Sequence, residues 1–197
     1  MQELALLMES GCVDARDQEF VRLVKQAKAG DMAAFETILS LYERRVLLTA
    51  LRLLNRNLED AKDAAQQVFL RLHRSLAQLD ENRHFASWLY RITVNVCRDM
   101  TRARARRSAL SLEEAGAGLV AAADDRVRND QRRMIYAALA TLPERERTAV
   151  VLRDLEGFTT SEAARIMGCA EVTVRSQISN ARVKIRKFVQ RRPRRPL

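Results

Sequence analysis

The sequence predicts an all-α chain: two small helical domains joined by a flexible linker. Three observations carry this. The six glycines (Gly11, Gly30, Gly116, Gly118, Gly157, Gly168) and three prolines (Pro143, Pro193, Pro196) all fall at plausible element boundaries. The stretches between them are dominated by Ala, Leu, Arg, Glu and Gln, which lose little on entering a helix. Nothing alternates apolar and polar residues for long enough to suggest a strand. With 197 residues, 47% of them apolar, the chain can build one large core or two small ones.

The first helix is expected from Asp17 to Ala29, stopped by Gly30. Asp31 caps the second, where Phe35, Ile38, Leu39, Tyr42, Val46, Ala50 and Leu53 recur at three- and four-residue steps. Asn55-Arg56-Asn57 breaks it, because Asn tolerates left-handed backbone and caps well. The third helix begins at Leu58, with Glu59 and Asp60 placed to favour its dipole and Ala61, Ala64, Ala65, Val68, Leu72 and Leu76 as its stripe. After the polar connection "QLDENRH", a fourth helix runs from about Phe85 into "RDMTRARARR". Residues 108–128 hold two glycines, small residues and Glu113, Glu114, Asp124 and Asp125, and read as an acidic linker. The predicted layout is an N-terminal extension (1–16), a first domain (17–107), the linker (108–128), a second domain (129–190) and a basic tail (191–197).

The formal net charge of +10 points to a polyanionic partner, nucleic acid first and an anionic membrane surface second. Cys12, Cys97 and Cys169 are scattered, and neither His73 nor His84 has metal-ligand spacing. A disulfide framework, structural zinc and a bound cofactor are therefore not expected. The apolar run Leu4 to Met8 is too short for a secretory core, and no stretch approaches a membrane span. A cytoplasmic protein with no membrane insertion is expected.

In the second domain, "LPERERTAVVLRDLEG" opens a helix with Pro143 at its first position and closes it at Gly157. Thr159 and Glu162 have capping-box spacing, and Gly168 ends the next helix. The turn "GCAE" leads into a last helix, about Val172 to Val189, which completes a helix-turn-helix. On a wheel of about 100° per residue, Val174, Ile178, Ala181, Ile185 and Val189 share one face. Arg175, Ser179, Arg182 and Arg186 lie about a quarter turn away. Such a helix fits a major groove, its apolar face held by the scaffold while Arg and Ser reach bases and phosphates. Thr173 at its N-terminus adds a phosphate contact. The sequence after Glu171 holds no acid, so these charges read as uncompensated.

The first domain carries a second surface of this kind. On the fourth helix, Phe85, Trp88, Leu89, Ile92 and Val96 define the packed side, and Arg91, Asn95, Arg98 and Arg102 a separate stripe. Trp88 lies on the border; its ring either supports an unstacked base or is packed core. Asn82, Arg83 and His84 precede the helix as a candidate base-reading loop. On the third helix, Asp60, Asp63, Gln66 and Gln67 share the surface with Val68, Phe69 and Leu70. That face is either a protein-docking surface or simply solvated.

At this point the sequence shows a resemblance. "EDAKDAAQQVFLRLHRSL…FASWLYRITVNVCRD" resembles region two of bacterial RNA polymerase sigma factors, and "LPERERTAVVLRDLEGFTTSEAARIMGCAEVTVRSQISNARVKIRK" resembles region four. Only these two regions, joined by a short linker, is the layout of the extracytoplasmic-function (ECF) group. The resemblance implies a non-enzymatic protein that binds core RNA polymerase, recognises promoter DNA and helps to open it. It implies that Asp60, Asp63, Gln66, Gln67, Phe69 and Leu70 dock on core polymerase. Asn82, Arg83, His84, Phe85, Trp88, Arg91, Asn95, Arg98 and Arg102 would serve the minus-10 element. Thr173, Arg175, Ser176, Ser179, Arg182 and Arg186 would serve the minus-35 element. An anti-sigma factor is implied as a further partner, though no residue identifies one. The competing reading is an autonomous helix-turn-helix regulator, for which the sequence offers neither a heptad seam nor a sensor domain.

Overall fold

The computed structural model describes residues 18–79, 85–110 and 126–191, and among these every regular element is helical. Helix α1 spans 18–28. It is followed by α2 (Met32–Leu53), α3 (Leu58–Ser75) with a 3₁₀ turn at Leu76–Gln78, and α4 (Phe85–Leu110). Then come α5 (Arg126–Ala140), α6 (Glu144–Val150), α7 (Thr160–Met167) and α8 (Glu171–Gln190). The N-terminal extension, the Asn82–His84 loop and tail residues 192–197 lie outside the described residues, as do linker positions 111–125; the positions flanking that gap belong to α4 and α5.

Local chemistry sets the helix ends. Gly30 turns the chain at φ +97°, a region that L side chains seldom enter. The Asp31 carboxylate then accepts from the amides of Ala33 (2.9 Å) and Ala34 (3.2 Å), capping α2. At the break between α2 and α3, Asn55 and Arg56 both take left-handed backbone, with φ of 55° and 65°. The Arg56 amide reaches back to the Leu51 carbonyl (3.0 Å), and the Asn57 side chain caps α3 by accepting from the Asp60 amide (3.1 Å). Left-handed Arg56 is unexpected; its guanidinium lies 5.0 Å from the ring centre of Tyr136 on α5, a cation–π contact.

Helices α2, α3 and α4 pack on one another, with Ile38, Val46, Ala50, Ala61, Ala64, Val68, Leu72, Leu89 and Val96 fully buried between them. Helix α1 adds Val24 and Ala27, and Lys28 Nζ donates to the Leu79 carbonyl at 2.8 Å. In the C-terminal unit, Leu142, Val151, Leu152, Ala163, Ala164 and Ile166 meet Val174, Ile178 and Ala181 of α8.

Two expectations are corrected. The segment from Pro143 to Gly157 is not one regular helix. Pro143 is the N-cap of α6, and the turn Val151–Leu155 is a π-helix, closed by the Glu156 amide on the Val151 carbonyl five residues back (2.9 Å). The packed side of α4 is also wider than predicted. Tyr90, Thr93, Val94 and Cys97 are buried along with Phe85, Leu89 and Val96, whereas Trp88 and Ile92 keep some exposure. The cause is contact between the two helical units: α4 packs on α7 as well as on α2 and α3, so it needs a second buried face.

Candidate nucleic-acid interface

The helix-turn-helix is built from α7 and α8. Thr159 Oγ1 accepts from the Glu162 amide (3.2 Å) while Glu162 Oε2 accepts from the Thr159 amide (2.8 Å), so the capping box forms as predicted. Gly168 ends α7 at φ +65°, and the Cys169 amide returns to the Ala164 carbonyl (3.1 Å). Ala170, the N-cap of α8, provides no side-chain acceptor. The Thr173 amide turns back onto the Ala170 carbonyl (3.0 Å), and the Glu171 and Val172 amides before it have no side-chain cap, with the Thr173 side chain half-buried beside them.

Val174, Ile178 and Ala181 seat α8 on its scaffold. Burial fades to half at Ile185, and Val189, expected on the apolar face, is 45% exposed. Helix length explains this: α6 and α7 have 7 and 8 residues against 20 in α8. At about 1.5 Å per residue the short helices cannot cover its last turns.

Arg175, Ser179, Arg182 and Arg186 line one open cleft of about 430 Å³ together with Arg153 and Thr160. Ser176 is exposed on the same helix. The sequence brought out four of these side chains but not Arg153, because the wide turn that carries it follows no regular period. The charges are not uncompensated, which corrects the expectation. Arg175 pairs with Glu171 (2.8 Å), one turn earlier on the same helix. Arg182 Nη2 donates to both oxygens of Asp154 (3.1 and 3.2 Å), and Lys184 pairs with Glu146 (2.6 Å). Two of these acids come from the α6 segment, and reading along one helix cannot see them. Exposed pairs of this kind contribute about 1 kcal/mol at most, so a phosphate can replace them.

On α4, Arg91 and Arg102 are exposed and Asn95 is half-buried. Arg98 is more enclosed and pairs through Nε with Glu144 of α6 (3.3 Å). Phe85 is buried, so its ring is a support and not an exposed reader. It lies 5.3 Å from the rings of both Phe20 and Tyr42, and Trp88 stands edge-on to it at 6.2 Å. Trp88 therefore caps an aromatic cluster while part of its ring stays open to solvent.

On α3, Asp63, Gln66, Gln67 and Leu70 are exposed, Leu70 to 50%. Val68, expected on this surface, is instead fully buried because it belongs to the helix's core stripe, and Phe69 packs partly against the core. Asp60 accepts from Arg104 Nη1 (2.9 Å), so this acid ties α3 to α4. Among the described residues, no group of three His, Cys, Asp or Glu is placed to hold a metal ion, and no helix is long and apolar enough to cross a membrane.

The sequence matches the family described as Sigma-70 region 2 over residues 38–107, and that described as Sigma-70, region 4 over residues 132–185. It is 32% identical over 179 residues to the ECF RNA polymerase sigma-E factor of Haemophilus influenzae, covering 85% of this chain and 94% of the relative. It is 33% identical over 161 residues to the ECF RNA polymerase sigma factor SigM of Mycobacterium tuberculosis, covering 82% and 80%. Among solved structures, a chain from the complex of CnrH with the cytosolic domain of CnrY superposes with a TM-score of 0.65 at 25% identity, covering 86% of this chain and 96% of that one. A chain from the complex of sigma factor RpoE with anti-sigma factor NepR from Bartonella quintana gives 0.71 at 23% identity, covering 81% and 98%, a likeness of fold.

Proposed function

The chain belongs to the sigma-70 family of RNA polymerase sigma factors, in its extracytoplasmic-function group, and from that premise we propose how its surfaces divide the work of directing transcription initiation. Helix α3 docks on core polymerase through Asp63, Gln66, Gln67 and Leu70, with Phe69 and Asp60 holding that face in shape. Helix α4 and the residues just before it serve the minus-10 element: Arg91, Asn95, Arg98 and Arg102 hold phosphates, and Trp88 receives an unstacked base. Helix α8 reads the minus-35 element through Thr173, Arg175, Ser176, Ser179, Arg182 and Arg186, and Arg153 adds a charge to the same cleft.

The observation that carries this reading is the division of α8. Val174, Ile178 and Ala181 are buried, while Arg175, Ser179, Arg182 and Arg186 open together onto one cleft. A helix divided in this way is anchored on one side and offers several phosphate or base contacts on the other. The protein performs no chemistry of its own; the polymerase does, in the cytoplasm. Core polymerase joins two modest DNA-binding units, so effective concentration converts weak contacts into a specific complex. An anti-sigma factor is the further partner of this reading.

The test is retention of the full chain on core RNA polymerase, followed by run-off transcription. Retention with promoter-dependent transcripts is expected. Tight binding to promoter duplex without polymerase, and no retention on core, would assign the chain instead as an autonomous regulator.

A further inference from the structure

Resting on that reading, we infer that the free chain holds itself shut, with Glu156 as a clasp between its two helical units. Glu156 belongs to the C-terminal unit, at the end of the wide turn after α6. Among the described residues, its carboxylate takes its partners from the other unit. Thr49 Oγ1 donates to it at 2.7 Å and Tyr90 Oη at 2.6 Å, Arg52 Nη1 pairs with it, and the Arg45 guanidinium lies 3.8 Å away. The Glu156 side chain is only 6% exposed. Around this centre, buried Arg147 donates Nη1 to the Leu53 carbonyl at the end of α2 (2.9 Å), and Phe158 stands edge-on to Tyr90 at 4.8 Å. Arg98 of α4 pairs with Glu144 of α6 at 3.3 Å.

Two features mark this as a joint that opens. Its centre is polar: a carboxylate among hydroxyls and guanidiniums, and a guanidinium on carbonyls. Water satisfies all of these groups on separation, so opening leaves no orphaned charge, which is the character of a separable interface within a chain. The joint also covers working surface. Arg98, proposed as a promoter contact, is held by Glu144, and α4 lies against α7. A partner that needs the two units apart must break the clasp first. Its apparent affinity is then reduced by the fraction of chains that are open.

Glu156→Gln in the full chain is a clean probe, because the side chain has its partners in the other unit and its own unit does not depend on it. The measurements are radius of gyration by small-angle scattering, helicity and melting by circular dichroism, and affinity for core RNA polymerase. A folded variant with a larger radius and about fivefold tighter binding to core is expected. Tyr90→Phe removes one hydroxyl and should move both quantities in the same direction by less, which keeps the test decisive if Glu156→Gln misfolds. A folded Glu156→Gln chain of unchanged radius overturns the clasp. A wider chain that binds core no better overturns its inhibitory role. If the unaltered chain does not bind core at all, the functional reading fails, and the scattering comparison alone decides the clasp.

Discussion

Arg182 of α8 faces Asp154 of the wide turn after α6, with Nη2 of the arginine 3.1 and 3.2 Å from the two carboxylate oxygens. In the proposed complex this carboxylate competes with DNA phosphate for the same guanidinium. Asp154→Asn should tighten binding of the holoenzyme to promoter duplex by about two- to fivefold at low salt, the worth of an exposed pair. Arg182→Ala should weaken it by about 1–3 kcal/mol and lower the salt slope by about one unit. Fluorescence anisotropy at several salt concentrations reads both. Equal loss of core-polymerase binding in Arg182→Ala would remove this residue from the promoter surface.

Trp88 is held edge-on by Phe85 with part of its ring exposed. Trp88→Ala should slow promoter opening more than initial binding, since stacking on one base is worth about 1–3 kcal/mol and is available only after strands part. Permanganate footprinting follows the opened thymines. An unchanged open-complex yield in a folded variant makes the ring structural only.

Arg147 is 8% exposed, and its three donating nitrogens bond the carbonyls of Leu139, Leu53 and Leu142, each at 2.9 Å. Arg147→Ala leaves three carbonyls in a dry site and should cost about 3 kcal/mol or more. Arg147→Lys should recover little, because an ammonium cannot reproduce the planar fork. Urea midpoints of the two variants against the parent chain check this.

Burial and the Glu156 carboxylate push the Tyr90 hydroxyl up to about 12. An unfolded tyrosine titrates near pH 10, so above that pH the unfolded state loses this proton first. The stabilisation is therefore whole below about pH 10 and is lost as pH rises towards 12. Buried Cys97, also raised to about 12, adds a loss that begins nearer pH 9. Urea midpoints should fall across this alkaline range, and Tyr90→Phe should flatten the part above pH 10.

Cys97 is 2% exposed with its thiol pushed up by burial, whereas Cys169 is half-buried in the turn before α8. At pH 8, iodoacetamide followed by peptide mapping should label Cys169 before Cys97. Cys97 should react only once urea unfolds the chain.

Much of the fold was legible because it is local. The core stripe of α3, the caps at Asp31, Asn57 and Thr159, and the left-handed stop at Gly168 all follow from period and cap chemistry within a few residues. So did the exposed basic flank of α8. What escaped was created by contact between distant segments. Tyr90, Thr93, Val94 and Cys97 are buried because α4 is covered on a second side, and no single-helix wheel reveals that. Nothing in their own stretch of sequence marks Arg147 and Glu156 as buried. Arg147 meets the Leu53 carbonyl of α2, 94 residues away, besides two nearby carbonyls, and Glu156 takes donors from α2 and α4 at separations of 66 to 107 residues. The acids that meet Arg182 and Lys184 were hidden for the same reason, and Arg153 because a π turn breaks the count of residues per turn.

The bond from Arg147 to the Leu53 carbonyl joins positions 94 residues apart. During synthesis the first helices leave the ribosome well before Arg147 does. At about 5–20 residues per second, the end of α2 waits roughly 5–20 s for this donor. Over that interval the nascent first half keeps its Leu53 terminus hydrated, and only the arrival of the later half dries it and completes its bonding.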